Sequence, residues 1–176
     1  MSRLVAIFFG VGLLKPAAGT WGSAAAILLG MVMLRYLGFP ALALATAAAT
    51  ALGFWACQAE LKHRPGADPG EFVIDEVAGQ WLTLMFPAAA FWWRGMDTHG
   101  VFSAGVEGWL PWPAWVFAFL MFRLFDIWKP WIIGRADRRD DPAGVMLDDL
   151  WAGVFAGVTS LILAALYHIP LVLMQQ

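Results

Sequence analysis

The sequence predicts an all-α, polytopic membrane protein of about four to five membrane helices, preceded by a short N-terminal re-entrant or interfacial segment. Three observations predict it. Of the 176 residues, 61% are hydrophobic and 14% charged, well below the roughly 25% charge of soluble domains. Mean hydropathy is +0.68. Several apolar runs approach the ~20 residues a helix needs to cross a bilayer, and short Gly-, Pro- or charge-marked stretches separate them. A single domain, 1–176, holds them all. A net charge of −2 offers no basic surface to nucleic acid. The lone cysteine, Cys57, rules out an intrachain disulfide and reads as a small buried hydrophobe.

Leu4 to Leu14 is apolar but only about half a crossing long, and Lys15-Pro16 follows it in place of a clear cleavage site. It therefore reads as a retained segment, either a short packed helix, a re-entrant piece or an interfacial stretch. Lys15 to Ser23 is punctuated by Gly and Pro, with Thr20 or Ser23 placed to cap the following helix. The first span runs from Ala24 to about Leu37, and Gly38-Phe39-Pro40 makes a turn. The second runs from Leu42 to Leu61, the third from Phe72 to Trp93, the fourth from Trp112 to Trp128, and the fifth from Asp148 to Tyr167. Residues 130–147 read as a charged loop.

Threading these spans back and forth brings the polar clusters to one side. That side holds Lys15, Lys62, Arg64, Lys129, Arg135, Arg138 and Arg139, against Arg35 and Arg94 opposite. An excess of basic residues marks the cytoplasmic side. On the far side, Trp92, Trp93, Trp109, Trp112 and Trp115 read as an interfacial aromatic belt.

The charged positions inside the spans carry the chemistry. Arg123, Asp126 and Lys129 recur every three residues and form one stripe at the end of the fourth span. Lipid would not tolerate that stripe, so it faces protein or a polar cavity; an Arg123–Asp126 pair that only ties helices together is the plain alternative. Asp75 and Glu76 enter the third span early, with Gly79 four residues on. Acids favour a helix N-terminus, which explains one of them better than two. Asp148 and Asp149 open the fifth span: Asp148 reads as a helix cap or a functional acid, and Asp149 shares the close-packing face of Gly153 and Gly157.

Converging acids repel one another unless cations compensate. Arg and Lys are one remedy, and a hard divalent cation on oxygen ligands is the other. Mg²⁺ suits sparse carboxylates plus a substrate phosphate. Arg123 and Lys129 supply phosphate donors, and the Gly19–Ser23 helix start offers backbone N–H groups to an anion. A phosphate ester at the membrane surface fits this set. Other phosphatase signatures are missing: the sequence has no Cys-x₅-Arg loop and no Asp-x-Asp-x-Thr stretch, and His63, His99 and His168 form no nucleophile pattern.

Four pieces, in order, resemble the phosphatidylglycerophosphatase A family. They are Lys15-Pro16-Ala17-Ala18-Gly19-Thr20-Trp21-Gly22-Ser23, Ile74-Asp75-Glu76-x-x-Gly79, Phe122-Arg123-x-Phe125-Asp126-x-x-Lys129-Pro130, and Asp148-Asp149-x-x-Ala152-Gly153. The resemblance implies Mg²⁺-dependent hydrolysis of the terminal phosphate of phosphatidylglycerophosphate at the cytoplasmic face of a bacterial inner membrane. Phospholipid substrate and membrane lipids are then the partners. Asp75, Glu76, Asp126 and Asp149 are expected to hold the metal and carry catalysis, with Arg123, Lys129, Thr20 and Lys15 on the substrate. The rival is a small ion-coupled transporter or channel, since intramembrane acids also mark ion paths. A transporter site belongs near the midplane, whereas these acids sit at helix ends.

Overall fold

The computed structural model describes residues 1–63, 69–95, 112–139 and 141–173. Those residues are all-α. The α-helices are α1 (Ser2–Ala6), α2 (Ala18–His63), α3 (Ile74–Trp93), α4 (Trp112–Trp128), α5 (Trp131–Asp137) and α6 (Pro142–Leu173), with 3-10 turns at Phe8–Leu13 and Pro69–Glu71. By length and apolar composition, two stretches among the described residues are fit to cross a membrane, Ala18–His63 and Pro142–Tyr167.

The α2 segment is not one rod. Gly38 breaks it with φ 77° and ψ −179°, a backbone region open essentially to glycine alone. In a straight helix Gly22 and Gly53 would stand about 46 Å apart. Yet a β-carbon on Gly22 would lie 2.9 Å from Val73 Cβ, and one on Gly53 3.4 Å from Ile74 Cγ1. The chain therefore doubles back at Gly38, and Pro40 starts the returning arm without needing its missing N–H. The first arm runs alongside α3: Trp81 Nε1 donates to the Ala26 carbonyl at 2.7 Å, and Phe39 stacks on Trp92 at 5.1 Å.

Helix α3 packs against α2 and α6, and α6 packs also against α4 and α5. The α3–α6 crossing is made by glycine. A β-carbon on Gly79 would sit 2.6 Å from the Asp149 carbonyl oxygen, and one on Gly157 2.2 Å from Phe86 Cδ2. Thr83 Oγ1 seals the crossing by donating to the carbonyls of Gly79 and Gly153, at 2.9 and 3.2 Å. Large apolar side chains such as Leu28, Tyr36, Leu44, Ile162 and Leu166 stay exposed on the outer faces, an extent of apolar surface that suits lipid rather than water.

Several sequence expectations shift. Residues 4–14 are not one helix: α1 ends at Ala6 and a 3-10 turn follows. That segment is tied to the bundle where the Val73 N–H donates to the Ala6 carbonyl at 2.9 Å. The 130–147 stretch is not a loop, since it holds α5 and the first turns of α6. Asp148 therefore does not cap α6. Asp141 takes that place, its Oδ1 accepting the Gly144 N–H at 2.8 Å. Thr20 and Ser23 are likewise not caps, because α2 already starts at Ala18. In the aromatic belt, Trp92 and Trp93 are exposed but Trp115 is buried. The Trp109 position, the Trp112 side chain, Arg64, His99 and the His168 side chain lie outside the described residues.

Candidate active site

The acidic centre is built by the close α3–α6 crossing. Asp75 and Glu76 lie in the first turn of α3, one turn before Gly79. Asp149 lies one turn before Gly153 on α6. With the two backbones nearly touching at those glycines, the three carboxylates fall together, each offering an oxygen within 4.8 Å of the others. Asp75 and Asp149 are buried, and Glu76 nearly so. Asp75 Oδ1 accepts the Glu76 N–H at 3.0 Å, using one donor left open by the helix start. Glu76 Oε2 is buried and has no hydrogen-bond partner among the described residues.

Helix α4 brings the first cation. Arg123 Nη1 donates to Asp126 Oδ2 at 2.5 Å and to Ser23 Oγ at 3.3 Å. The stripe does not extend intact to Lys129. Helix α4 stops at Trp128, as expected where proline disfavours the helical region for the residue before it, and Lys129, ahead of Pro130, turns to a left-handed φ of 49°. That turn aims Lys129 at two carboxylates, Asp137 on α5 and Asp148 on α6, the latter at 2.7 Å. Burial works against the Lys129 charge, but those two carboxylates outweigh it and raise its pKa. Further out, Arg139 forks onto Asp141 at 2.6 and 3.2 Å and holds that carboxyl below its usual range.

A cavity of about 580 Å³ opens over this arrangement. Asp75, Glu76, Asp126, Asp148, Asp149 and Lys129 line it, together with Asp137, Arg139 and Asp141 and the apolar Leu61, Phe72 and Val145. Arg123, Thr20 and Lys15 do not line it. Thr20 and Lys15 are exposed on the outside of the α2 start. Sequence reasoning missed Asp137, Arg139 and Asp141, because a run of charges between two apolar stretches reads as a solvated loop. It also missed the inward face of α2, where Gly19 and Ser23 meet Glu76 and Arg123.

Chemically, the buried carboxylates suit a metal ion. They offer only oxygen donors, which hard divalent cations prefer. The buried Glu76 Oε2, without a hydrogen-bond partner among the described residues, is an oxygen free to ligate such a cation. The cavity beside them has room for a small polar headgroup and carries Lys129 for an anion.

Comparison with known proteins agrees with this chemistry. Phosphatidylglycerophosphatase A of Haemophilus influenzae is 33% identical over 156 residues, covering 88% of this chain and 83% of that protein. Phosphatidylglycerophosphatase A of Escherichia coli is also 33% identical, over 88% of this chain and 78% of its own. A putative phosphatidylinositol-3-phosphatase of Bacteroides thetaiotaomicron is 32% identical, over 87% of each. No solved structure matches. The family profile for phosphatidylglycerophosphatase A matches residues 4–164, and the chain belongs to that family.

Proposed function

We propose that this phosphatase removes the terminal phosphate of phosphatidylglycerophosphate to give phosphatidylglycerol, using a divalent cation, Mg²⁺, held by Asp75, Glu76 and Asp149. One observation carries the reading: three carboxylates from two helices, two of them buried and the third nearly so, meet beside a cavity that also presents a lysine. A bound Mg²⁺ would neutralise charge on the phosphoryl oxygens and acidify the attacking water. Asp126, whose carboxylate lines the same cavity, is the residue we assign to orient water. Arg123 fixes Asp126 from behind and offsets the crowded negative charge. Lys129, which reaches the cavity from between α4 and α5, binds the substrate phosphate. Lys15 and Thr20 sit outside the cavity, and their place in substrate binding is limited to the approaching headgroup.

In the same reading the protein is multi-pass. The two arms of α2, then α3, α4 and α6, cross the inner membrane, and the acidic centre lies at its cytoplasmic face. The basic excess on the side of Lys62, Lys129, Arg135, Arg138 and Arg139 supports that orientation. The ion-coupled alternative fits less well, because Asp75 and Glu76 occupy the first turn of α3, Asp126 the last turn of α4, and Asp149 lies two turns into the 32-residue α6, all toward helix ends instead of at a midplane break.

Purified protein in mixed micelles tests the reading. Phosphate release from phosphatidylglycerophosphate should require Mg²⁺. Phosphatidylinositol 3-phosphate, offered in parallel, should be the poorer substrate. Faster turnover of the inositol lipid would reassign the substrate without moving the site.

A further inference from the structure

The Gly19-to-Ser23 stretch remains without a role in that chemistry. Its exposed Thr20 faces away from the cavity, and its first-turn N–H groups are not on the cavity lining. The opposite face of the same stretch tells a different story. Gly19 and Ser23 are four residues apart, so they stack on one side of α2. That side is pressed against Glu76 and Arg123.

The contacts are specific. A β-carbon on Gly19 would lie 2.1 Å from Glu76 Oε1, 3.1 Å from Glu76 Cδ and 3.3 Å from Arg123 Nη1. The missing side chain is therefore a slot filled by the Glu76 carboxylate. Ser23 is fully buried, and its hydroxyl donates to the Gly19 carbonyl at 2.9 Å. A serine hydroxyl has one proton and two lone pairs. With the proton committed to Gly19, a lone pair is left for the guanidinium, and Arg123 Nη1 donates to it at 3.3 Å. Arg123 is thus held from two sides, by Ser23 and by Asp126. Arg123 Nε is buried and has no partner among the described residues, so these Nη1 contacts carry the hydrogen bonding that is shown for it.

We infer that the first two turns of α2 are the back wall of the active site, with Ser23 positioning Arg123 and Gly19 admitting Glu76. Neither residue touches substrate, so both are positioning residues. The inference rests on the site assignment proposed above and goes beyond it. It turns the stretch's function from anion binding through exposed N–H groups to alignment of one acid and one cation.

The test is a cycle of four purified proteins: wild type, Ser23→Ala, Arg123→Lys and the double variant. Ser23→Ala removes one oxygen and keeps a good helix former, so α2 is preserved. Loss of alignment should lower kcat roughly tenfold or more, with KM nearly unchanged. In the Arg123→Lys background the same change should cost nothing further, since interacting residues are not additive. Gly19→Ala is the second probe, read by Mn²⁺ binding followed by electron paramagnetic resonance. It should weaken Mn²⁺ affinity about tenfold while the thermal midpoint holds or rises, because alanine favours the helix. Wild-type kinetics for Ser23→Ala, or losses that simply multiply across the cycle, would overturn the inference. So would wild-type Mn²⁺ affinity in Gly19→Ala. Full activity in Arg123→Lys together with Glu76→Gln would instead overturn the site assignment beneath it.

Discussion

The carbonyl oxygen of Gly79 lies 2.6 Å from the point where a β-carbon on Gly153 would sit. Helices α3 and α6 thus meet backbone to backbone, and the acids one turn earlier are brought together by that approach. Gly153→Ala should push the helices apart. Backbone cannot rotate away as a side-chain tip can, so we expect a loss of about 1–3 kcal/mol, the usual range for overpacking. Thermal unfolding in detergent reads the loss, and turnover should fall with it. Unchanged midpoint and turnover would mean the crossing is looser than the distance implies.

Asp126→Asn should abolish turnover while leaving the protein folded. Asparagine keeps the volume and accepts from Arg123, which also retains its contact with Ser23. If the pair with Asp126 were what holds Arg123 in the fold, its loss would show as a stability cost of up to roughly 3–5 kcal/mol; the neighbouring Glu76 carboxylate, which crowds the same Gly19 position as Arg123, is why we expect less. Monodispersity, thermal midpoint and phosphate release measured on one preparation separate the two. Near-normal turnover defeats the catalytic assignment.

Lys129 should act as a charged clasp at all ordinary pH values. Its pKa is raised above the free value of 10.5. A raised pKa in the folded state contributes stability in full below the unfolded pKa, and that stability is lost only as pH climbs through the folded value. Lys129→Met should therefore cost about 1 kcal/mol, discounted for partial exposure. The cost should be flat from about pH 6 to about pH 9. Hydrogen exchange of α5 is the direct readout, since Lys129 ties Asp137 on that helix to Asp148 on α6. A cost that varies steeply within that window would assign the contact to another titrating group.

Gly38→Ala should damage folding and leave chemistry alone. At φ 77° and ψ −179° any side chain is strained, by about 1–3 kcal/mol. The yield of inserted, monodisperse protein should fall, while kcat of the surviving fraction stays normal. A changed kcat would show that the α2 turn communicates with the acidic centre.

Much of this arrangement was legible in the sequence, and the reason is cost. An acid in an apolar run is expensive, so Asp75, Glu76, Asp126 and Asp149 announced themselves against their neighbours. Their convergence followed from counting spans. Legibility failed where helix starts decide which face a residue occupies. With α2 starting at Ala18 instead of near Ala24, Ser23 turns inward and Thr20 outward. With α6 starting at Pro142, Asp148 is two turns inside the helix and pairs with Lys129. Gly144 and the charges around Arg139 hid that start by looking like a loop. Lys129 left the stripe because Pro130 ends α4, a local backbone effect that three-residue spacing does not register.

The most direct measurement is the divalent-cation dependence of phosphate release from phosphatidylglycerophosphate, by wild type and Asp149→Asn side by side. Chelator should silence the wild type, and added Mg²⁺ should restore it. Asp149→Asn, with a ligand oxygen's charge removed, should need at least about tenfold more Mg²⁺ for half activity, or stay silent. Undiminished release by chelator-treated wild type, or an Asp149→Asn protein with wild-type Mg²⁺ dependence, would contradict a metal centre at these three carboxylates.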